Sequence, residues 1–275
     1  MVDRIEKKVI ENFGKEWTNF NQDINNKELQ NVFEDYFNIF PNKFLNKKSV
    51  GADIGCGSGR WAKYILPKVK HMHLIDPSLK SINVAKNNLK DFNNLTFHNK
   101  DVSSIDEINE EFDFAYSLGV LHHIKDTEEG IANCFNKLKK GSPFLIYLYY
   151  NFENRNFIFK FIWTISNFLR VIISNLPFAL KKIITNLLAL IIYLPLKYIY
   201  KIIKFLSIDI KNFPLSYYHN KTLYMMRTDS LDRFGTIIEK RFSKKEIKSM
   251  LEKAGFIDIK FSDTEPYWTA ICFKG

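Results

Sequence analysis

Short apolar runs alternate with amphipathic stretches of helical period through most of the chain. This alternation predicts an α/β fold, a largely parallel sheet with helices on both faces. Strands are expected at 50–54, about 70–75, 95–98, 112–117 and 144–150. Helices fill the gaps: about 60–66, 79–90 behind a Ser78 cap, and 127–139 closed by Gly141. Ahead of the sheet, residues 1–46 read as a helical, amphipathic extension that includes Phe13-Gly-Lys-Glu-Trp-Thr-Asn-Phe20. At the far end Ser243 begins a helix over 244–253, with Glu246 completing a capping box and Gly255 terminating it. Two last strands, 256–262 and 267–273, follow.

The pattern breaks from 152 to about 210. Lys and Arg recur there among Ile, Leu, Phe and Tyr, and no Asp or Glu occurs between Asn154 and Ser207. The longest charge-free run, 183–196, has fourteen residues and contains Pro195. A spanning helix needs about 20 apolar residues, so this run is too short to cross a bilayer. Two or three helices separated near 175–177 and 194–195 are expected instead. The organisation is therefore an N-terminal helical cap (1–46), a sheet domain (47–151 and 211–275) and a basic, apolar helical insert (152–210).

Composition narrows this picture. At 275 residues and 46% apolar the chain suits one large domain with an elaboration. The N-terminus is charged and lacks the apolar segment of a signal peptide. Cys56, Cys134 and Cys272 are far apart and odd in number, which fits a reducing, cytoplasmic setting without a disulfide framework. His71 and His73 share a strand face, and without a third ligand they read as ordinary side-chain contacts, so no metal site is expected. The net charge of +10 suggests nucleic acid until it is located: eight basic residues lie between 154 and 207, leaving about +2 elsewhere. A nucleic-acid reader spreads Lys and Arg over a polar face, whereas this segment is the most hydrophobic in the chain.

The densest signal is Val50-Gly-Ala-Asp-Ile-Gly-Cys-Gly-Ser-Gly-Arg60, a strand running into a three-glycine turn at a helix start. The spacing differs from the G-x-G-x-x-G dinucleotide fingerprint. Asp53 before the turn disfavours a pyrophosphate and favours a cationic ligand. D-I-G-C-G-S-G-R resembles the first motif, (D/E)-x-G-x-G-x-G, of class I S-adenosylmethionine-dependent methyltransferases. The run Ser117-Leu-Gly-Val-Leu-His-His-Ile124 resembles the segment after strand four in small-molecule members, of the methyltransferase type 11 and quinone-biosynthesis kind. The resemblance covers about 50–150 and 243–275.

It implies a Rossmann-like seven-stranded sheet with an antiparallel last strand, and S-adenosylmethionine as cofactor. Asp53, Gly55, Cys56, Gly57 and Gly59 would form the cofactor turn. Asp76, followed by Pro77, would accept hydrogen bonds from both ribose hydroxyls; Asp101 and the Val102 backbone would meet the adenine amino group. Ser117 and Leu118 would line the methionine end. Each Asp also reads as a plain turn or cap residue, but three at successive strand ends favour a binding role. His122 and His123 lie where an acceptor approaches; either would take a hydroxyl proton, or both serve structure. Trp17 either closes the pocket or joins the core. Tyr217, Tyr218, His219, Arg227, Asp229, Asp232 and Arg233 either line an acceptor pocket or connect the insert to the last helix.

The insert leaves the sheet after strand five. It is expected either to roof the acceptor pocket or to lie on an anionic membrane surface through 155–207, as a peripheral protein of the inner face. An apolar lid suggests a small or lipid-linked acceptor, such as a glycan, quinone or lipid precursor, methylated on oxygen. Two alternatives stand beside this: a membrane-associated binding module without catalysis, and a nucleic-acid methyltransferase. The second lacks an N/D-P-P-Y/F run after strand four.

Overall fold

The computed structural model describes residues 4–20, 26–207 and 213–275. It divides into two compact units, residues 1–151 with 238–275, and residues 152–237. The first unit holds a seven-stranded sheet in the order β3-β2-β1-β4-β5-β7-β6. Its strands are β1 (Val50–Ile54), β2 (His71–Ile75), β3 (Leu95–His98), β4 (Phe114–Leu118), β5 (Pro143–Tyr147), β6 (Phe256–Phe261) and β7 (Ala270–Lys274). The first five are mutually parallel and β7 runs antiparallel between β5 and β6. Every residue of β1 and β4 is buried, as strands covered on both faces must be. The strand order reverses at the β1–β4 pair, so the crevice beyond their carboxyl ends is the natural ligand site of such a sheet.

Local chemistry explains where the helices start. In α4 (Leu79–Asn88), the Ser78 hydroxyl accepts from Ser81 N. Asp126 caps α5 (Thr127–Asn136) by accepting from Glu129 N. In α10 (Lys244–Ala254) the Ser243–Glu246 capping box is complete, and Gly255 ends the helix in the left-handed region. The short helix α3 (Ala62–Ile65) follows the glycine turn. The N-terminal extension supplies α1 (Arg4–Asn19) and α2 (Asn26–Phe37), which belong to the same unit as the sheet. Phe37 of α2 packs edge-on against Tyr116 of β4, with ring centroids 5.3 Å apart.

The second unit corrects three expectations. It extends to Ile237, so residues 213–237, expected to rejoin the sheet domain, belong with the insert. The reason is α9 (Leu223–Gly235), whose Met226 and Phe234 complete an apolar cluster with Ile173, Ala189 and Tyr193. The flanking helices are α6 (Phe157–Ser174), α7 (Phe178–Leu188) and α8 (Leu194–Phe205). A break occurs at 175–177 as expected, but none occurs at 194–195. A π turn, Ala189–Tyr193, carries α7 into α8 as one helical run of 28 residues. The wider turn accommodates the missing N–H and bulky ring of Pro195 without stopping the helix. By length and composition, 157–174 and 178–205 are therefore both apolar enough to cross a membrane, against the expectation from the charge-free run alone.

All eight basic residues between 154 and 207 lie in this unit, and Arg170 and Lys181 among them are buried. Arg170 Nη1 donates to Thr236 O (2.9 Å) and Lys181 Nζ donates to Gly235 O (2.9 Å). Both cations thus meet carbonyls at the C-terminal end of α9, where the helix leaves acceptors unpaired and carries partial negative charge.

Candidate functional site

The site grows from the turn after β1. Gly55 N and Cys56 N both donate to Ile75 O, folding the chain sharply over the end of β2. Gly55, Gly57 and Gly59 take φ of +80°, +53° and +75°. At Gly57 two demands coincide: φ is positive, and a Cβ would lie 2.9 Å from the Trp17 ring. Gly57→Ala is therefore expected to cost about 1–3 kcal/mol of stability, read as a lowered thermal midpoint. An unchanged midpoint would mean that Trp17 and the turn yield freely. Cys56 is buried, and burial pushes its thiol well above the ordinary range, so it lines the turn as a neutral group.

Two carboxylates sit beneath the turn. Asp76, past the end of β2, accepts Gly57 N at Oδ2 (2.9 Å) and Ser78 N at Oδ1 (2.8 Å). Asn99 Nδ2 pins the following backbone by donating to Asp76 O and Pro77 O. Asp53, within β1, accepts the Tyr116 hydroxyl at 2.9 Å across the β1–β4 register pair. Burial pushes Asp53 up to about 7; the Tyr116 hydrogen bond opposes the shift and the charge of Asp76 adds to it. Burial likewise pushes Asp76 up to about 6, against the backbone bonds from Ser78 and Gly57. Two buried carboxylates at adjacent strands, with Arg60 acting on Asp53, suit a ligand that brings a cation and hydroxyl donors.

Asp101, beyond β3, caps the short helical turn Val102–Glu107: its Oδ1 accepts from Ser103 N, Ser104 N and Ser103 Oγ. These contacts are those of a cap residue. After β4, Ser117 Oγ donates to Ile54 O and Leu118 is buried. Gly119 has φ of +77°, and no atom lies within 4 Å of the point where its Cβ would be. Open space thus borders the end of β4, next to the glycine turn.

Helix α1 lies along these turns. Phe13 packs on His123 (centroids 5.0 Å), the Gly14 Cβ position is 2.4 Å from Ser78 Oγ, and Trp17 covers Gly57. Arg60 stacks on both Trp17 and Trp61, at 5.0 and 4.4 Å. The structure thus places Trp17 at the turn, half-buried. Of the two histidines, His123 Nδ1 lies 2.7 Å from Ile238 O. A carbonyl only accepts, so Nδ1 carries a proton that it donates there, while Nε2 is buried. His122 is fully buried, stacks on Tyr149 at 3.8 Å, and neither of its ring nitrogens has a hydrogen-bond partner among the described residues. Burial, with His123 and Arg241 nearby, holds it far below the usual histidine range, so it is a neutral ring.

Tyr116, Tyr149 and Arg241 are supports that sequence reasoning missed. For Tyr116 part of the signal was available, since it sits one residue before Ser117 on an expected strand. The polar cluster at 217–233 goes elsewhere. Tyr218 donates to Asp229, Arg227 to Asn186 and Arg233 to Ser166, all within the second unit. Those groups hold α9 in its own bundle. His73 likewise makes side-chain contacts, with His98 at 2.9 Å and Glu110 at 3.0 Å.

A family profile described as a methyltransferase domain matches residues 52–144. The tRNA (carboxymethyluridine(34)-5-O)-methyltransferase of Saccharomyces cerevisiae is 33% identical over 107 residues, 36% of this chain. The match spans only 35% of that curated relative. Magnesium protoporphyrin IX methyltransferase from Synechocystis PCC 6803, solved with bound SAH, aligns over 100% of this chain and 89% of its own. The TM-score is 0.50 at 13% identity. An O-methyltransferase family protein from Burkholderia thailandensis aligns over 91% of this chain and 57% of its own, with a TM-score of 0.54 at 11% identity. At such identities the two structures speak for the fold.

Proposed function

We propose that the chain carries a class I S-adenosylmethionine-dependent methyltransferase domain and methylates an oxygen of a small or lipid-linked acceptor. The carrying observation is the pair of buried carboxylates, Asp53 and Asp76, flanking a glycine turn next to open space at Gly119. When bound, the cofactor supplies an electrophilic methyl group on a positively charged sulfur. Asp76 is the acceptor for the ribose hydroxyls, using lone pairs that its two backbone bonds leave over. Asp53 and Asp76 together supply the negative field that a sulfonium and an ammonium require. Asp101 and Val102 stand for the adenine edge, and Ser117, Leu118 and Gly119 for the methionine end. Cys56 and Pro77 shape the walls.

His123 is the better base of the two histidines. Its Nδ1–H is fixed on Ile238 O, and we assign its buried Nε2 as the atom that takes the acceptor's hydroxyl proton. His122 is held neutral and stacked, which suits a ring that positions its neighbour. Methyl transfer needs positioning more than acid–base chemistry, so His123→Gln is expected to lower kcat by about 10²-fold with unchanged affinity for S-adenosylmethionine. An unchanged kcat would remove the base role.

The test of the whole reading is calorimetric titration with S-adenosylmethionine, followed by transfer of a tritiated methyl group to three pools: total lipid extract, small metabolites and bulk tRNA. Label in the lipid or small-molecule pool is expected. Absence of binding at millimolar cofactor would leave a binding module without this chemistry. A second reading, a tRNA acceptor, draws on the yeast relative, whose name specifies transfer to an oxygen of a tRNA base. Label confined to tRNA would establish that reading over the first.

A further inference from the structure

We infer that the second unit is a monotopic membrane-docking element, which lays α6 and the continuous α7–α8 run into the surface of an anionic lipid bilayer. The inference stands on this unit alone and is independent of the methyl-transfer reading. Its basis is an apolar face that no described residue of the unit covers. On α6, Phe157, Phe161, Ile165, Phe168 and Ile172 recur at intervals of three and four residues, and all are exposed. On the long run, Ile183, Leu187 and Ile191, and then Tyr198, Ile202 and Phe205 beyond the π turn, recur at three or four residues within each group and are likewise exposed. Phe157 is 80% accessible, Ile191 68% and Phe205 86%, values far above those of an ordinary soluble helix face. The helices do have a covered side, where Ile173, Ala189 and Tyr193 meet α9. The outward stripe is therefore the opposite face of helices that are already packed.

Charge identifies the occupant. Between 154 and 207 there are eight basic residues and no acidic one. The fold turns Arg170 and Lys181 inward onto the end of α9, so their charges are spent on structure. Lys160, Lys201 and Lys204 remain exposed beside the apolar stripe. Exposed lysines next to exposed Phe and Ile complement a surface that is anionic at its headgroups and apolar beneath. Nucleic acid would match the lysines and leave the aliphatic stripe in water.

The packing also favours lying on the membrane over crossing it. Helix α9 packs on α6 and α7 and carries Arg227, Asp229, Asp232 and Arg233. Spanning with this unit intact would take those four charged side chains into hydrocarbon, which strongly disfavours it. An interfacial seat buries the stripe and keeps α9 wet.

The test is flotation of the full chain with vesicles of phosphatidylcholine alone and of phosphatidylcholine mixed with phosphatidylglycerol. Binding is expected to the anionic vesicles, reversed by high salt. The triple variant Lys160→Gln, Lys201→Gln, Lys204→Gln should bind them about 100-fold more weakly. Phe168→Ser with Ile191→Ser should also weaken binding, and both positions are exposed, so folding is spared. Failure of the protein to float while it still binds S-adenosylmethionine would overturn the inference and leave the methyl-transfer reading untouched. Equal binding to both vesicle types that resists alkaline carbonate would overturn it in favour of spanning helices. A stable dimer that shields Phe168 and Ile191 would assign the face to a second copy of this chain. Binding of bulk tRNA through the same three lysines, with vesicles ignored, would assign the charge to nucleic acid.

Discussion

Asp76→Ala is expected to lower affinity for S-adenosylmethionine by at least about 10²-fold, because two hydrogen bonds from ribose hydroxyls to a carboxylate are lost, each worth about 1.5–3 kcal/mol. The fold should survive. Removing the side chain frees Gly57 N and Ser78 N, which costs stability, but it also removes a buried carboxylate that burial already pushes up to about 6. The two effects oppose each other, so the thermal midpoint should move little while binding collapses. Titration calorimetry alongside thermal unfolding separates them. Cofactor affinity within threefold of the wild type would remove Asp76 from the site.

The second large effect carries opposite signs for stability and binding. Asp53 rises from 3.8 to about 7 in the folded chain through burial, so the fold holds its proton more tightly than the unfolded chain does. For such a group the stabilisation is complete below the unfolded value and is lost as pH rises through about 7. At pH 8 the ionised, buried carboxylate therefore burdens the cofactor-free protein. Asp53→Asn keeps an acceptor for the Tyr116 hydroxyl and removes the charge. It should stabilise the cofactor-free protein at pH 8 by about 2–4 kcal/mol, from a shift of roughly three units at 1.36 kcal/mol each. The advantage should shrink toward pH 4. Comparing variant with wild type cancels the histidines, among them His98, which burial lowers to about 4 and whose effect has the opposite sign.

Cofactor affinity should move the other way. In the wild type it should rise between about pH 5.5 and 8 as Asp76 and Asp53 ionise, and in Asp53→Asn it should be weaker and flatter with pH. Stability curves by urea at several pH values, paired with calorimetry, test both halves. A variant less stable than the wild type at pH 8 would show that Asp53 is a structural hydrogen-bond acceptor and no charge store. Such a trade of stability for binding is common where a site holds uncompensated charge.

Much of this site could be read along the chain because its parts are local. The glycine turn, Asp53 ahead of it, Asp76 after β2 and the Ser78 cap each depend on neighbours within a few residues. The capping box at Ser243 and Glu246 and the left-handed Gly255 follow equally from local backbone needs. What was misread spans longer distances. The boundary at 237 depends on α9 finding Ile173 and Ala189, residues about fifty positions earlier. The break expected at Pro195 fails because the π turn absorbs the ring, a shift in hydrogen-bond register that no short window of sequence displays.

The strand–turn–helix at 50–65, the acidic residues at successive strand ends and the basic apolar segment of helical character can all be read along the chain. These follow from backbone preference and the spacing of side chains over a few residues. Which groups keep their charge, and which way their protons point, depends on partners that folding brings from far along the chain. Tyr116 meets Asp53 through the β1–β4 register, Ile238 fixes the proton of His123 from 115 residues away, and α9 takes Arg170 and Lys181 out of the basic face. Desolvation and long-range hydrogen bonding depend on what is nearby in space, and that is set by how the whole chain packs.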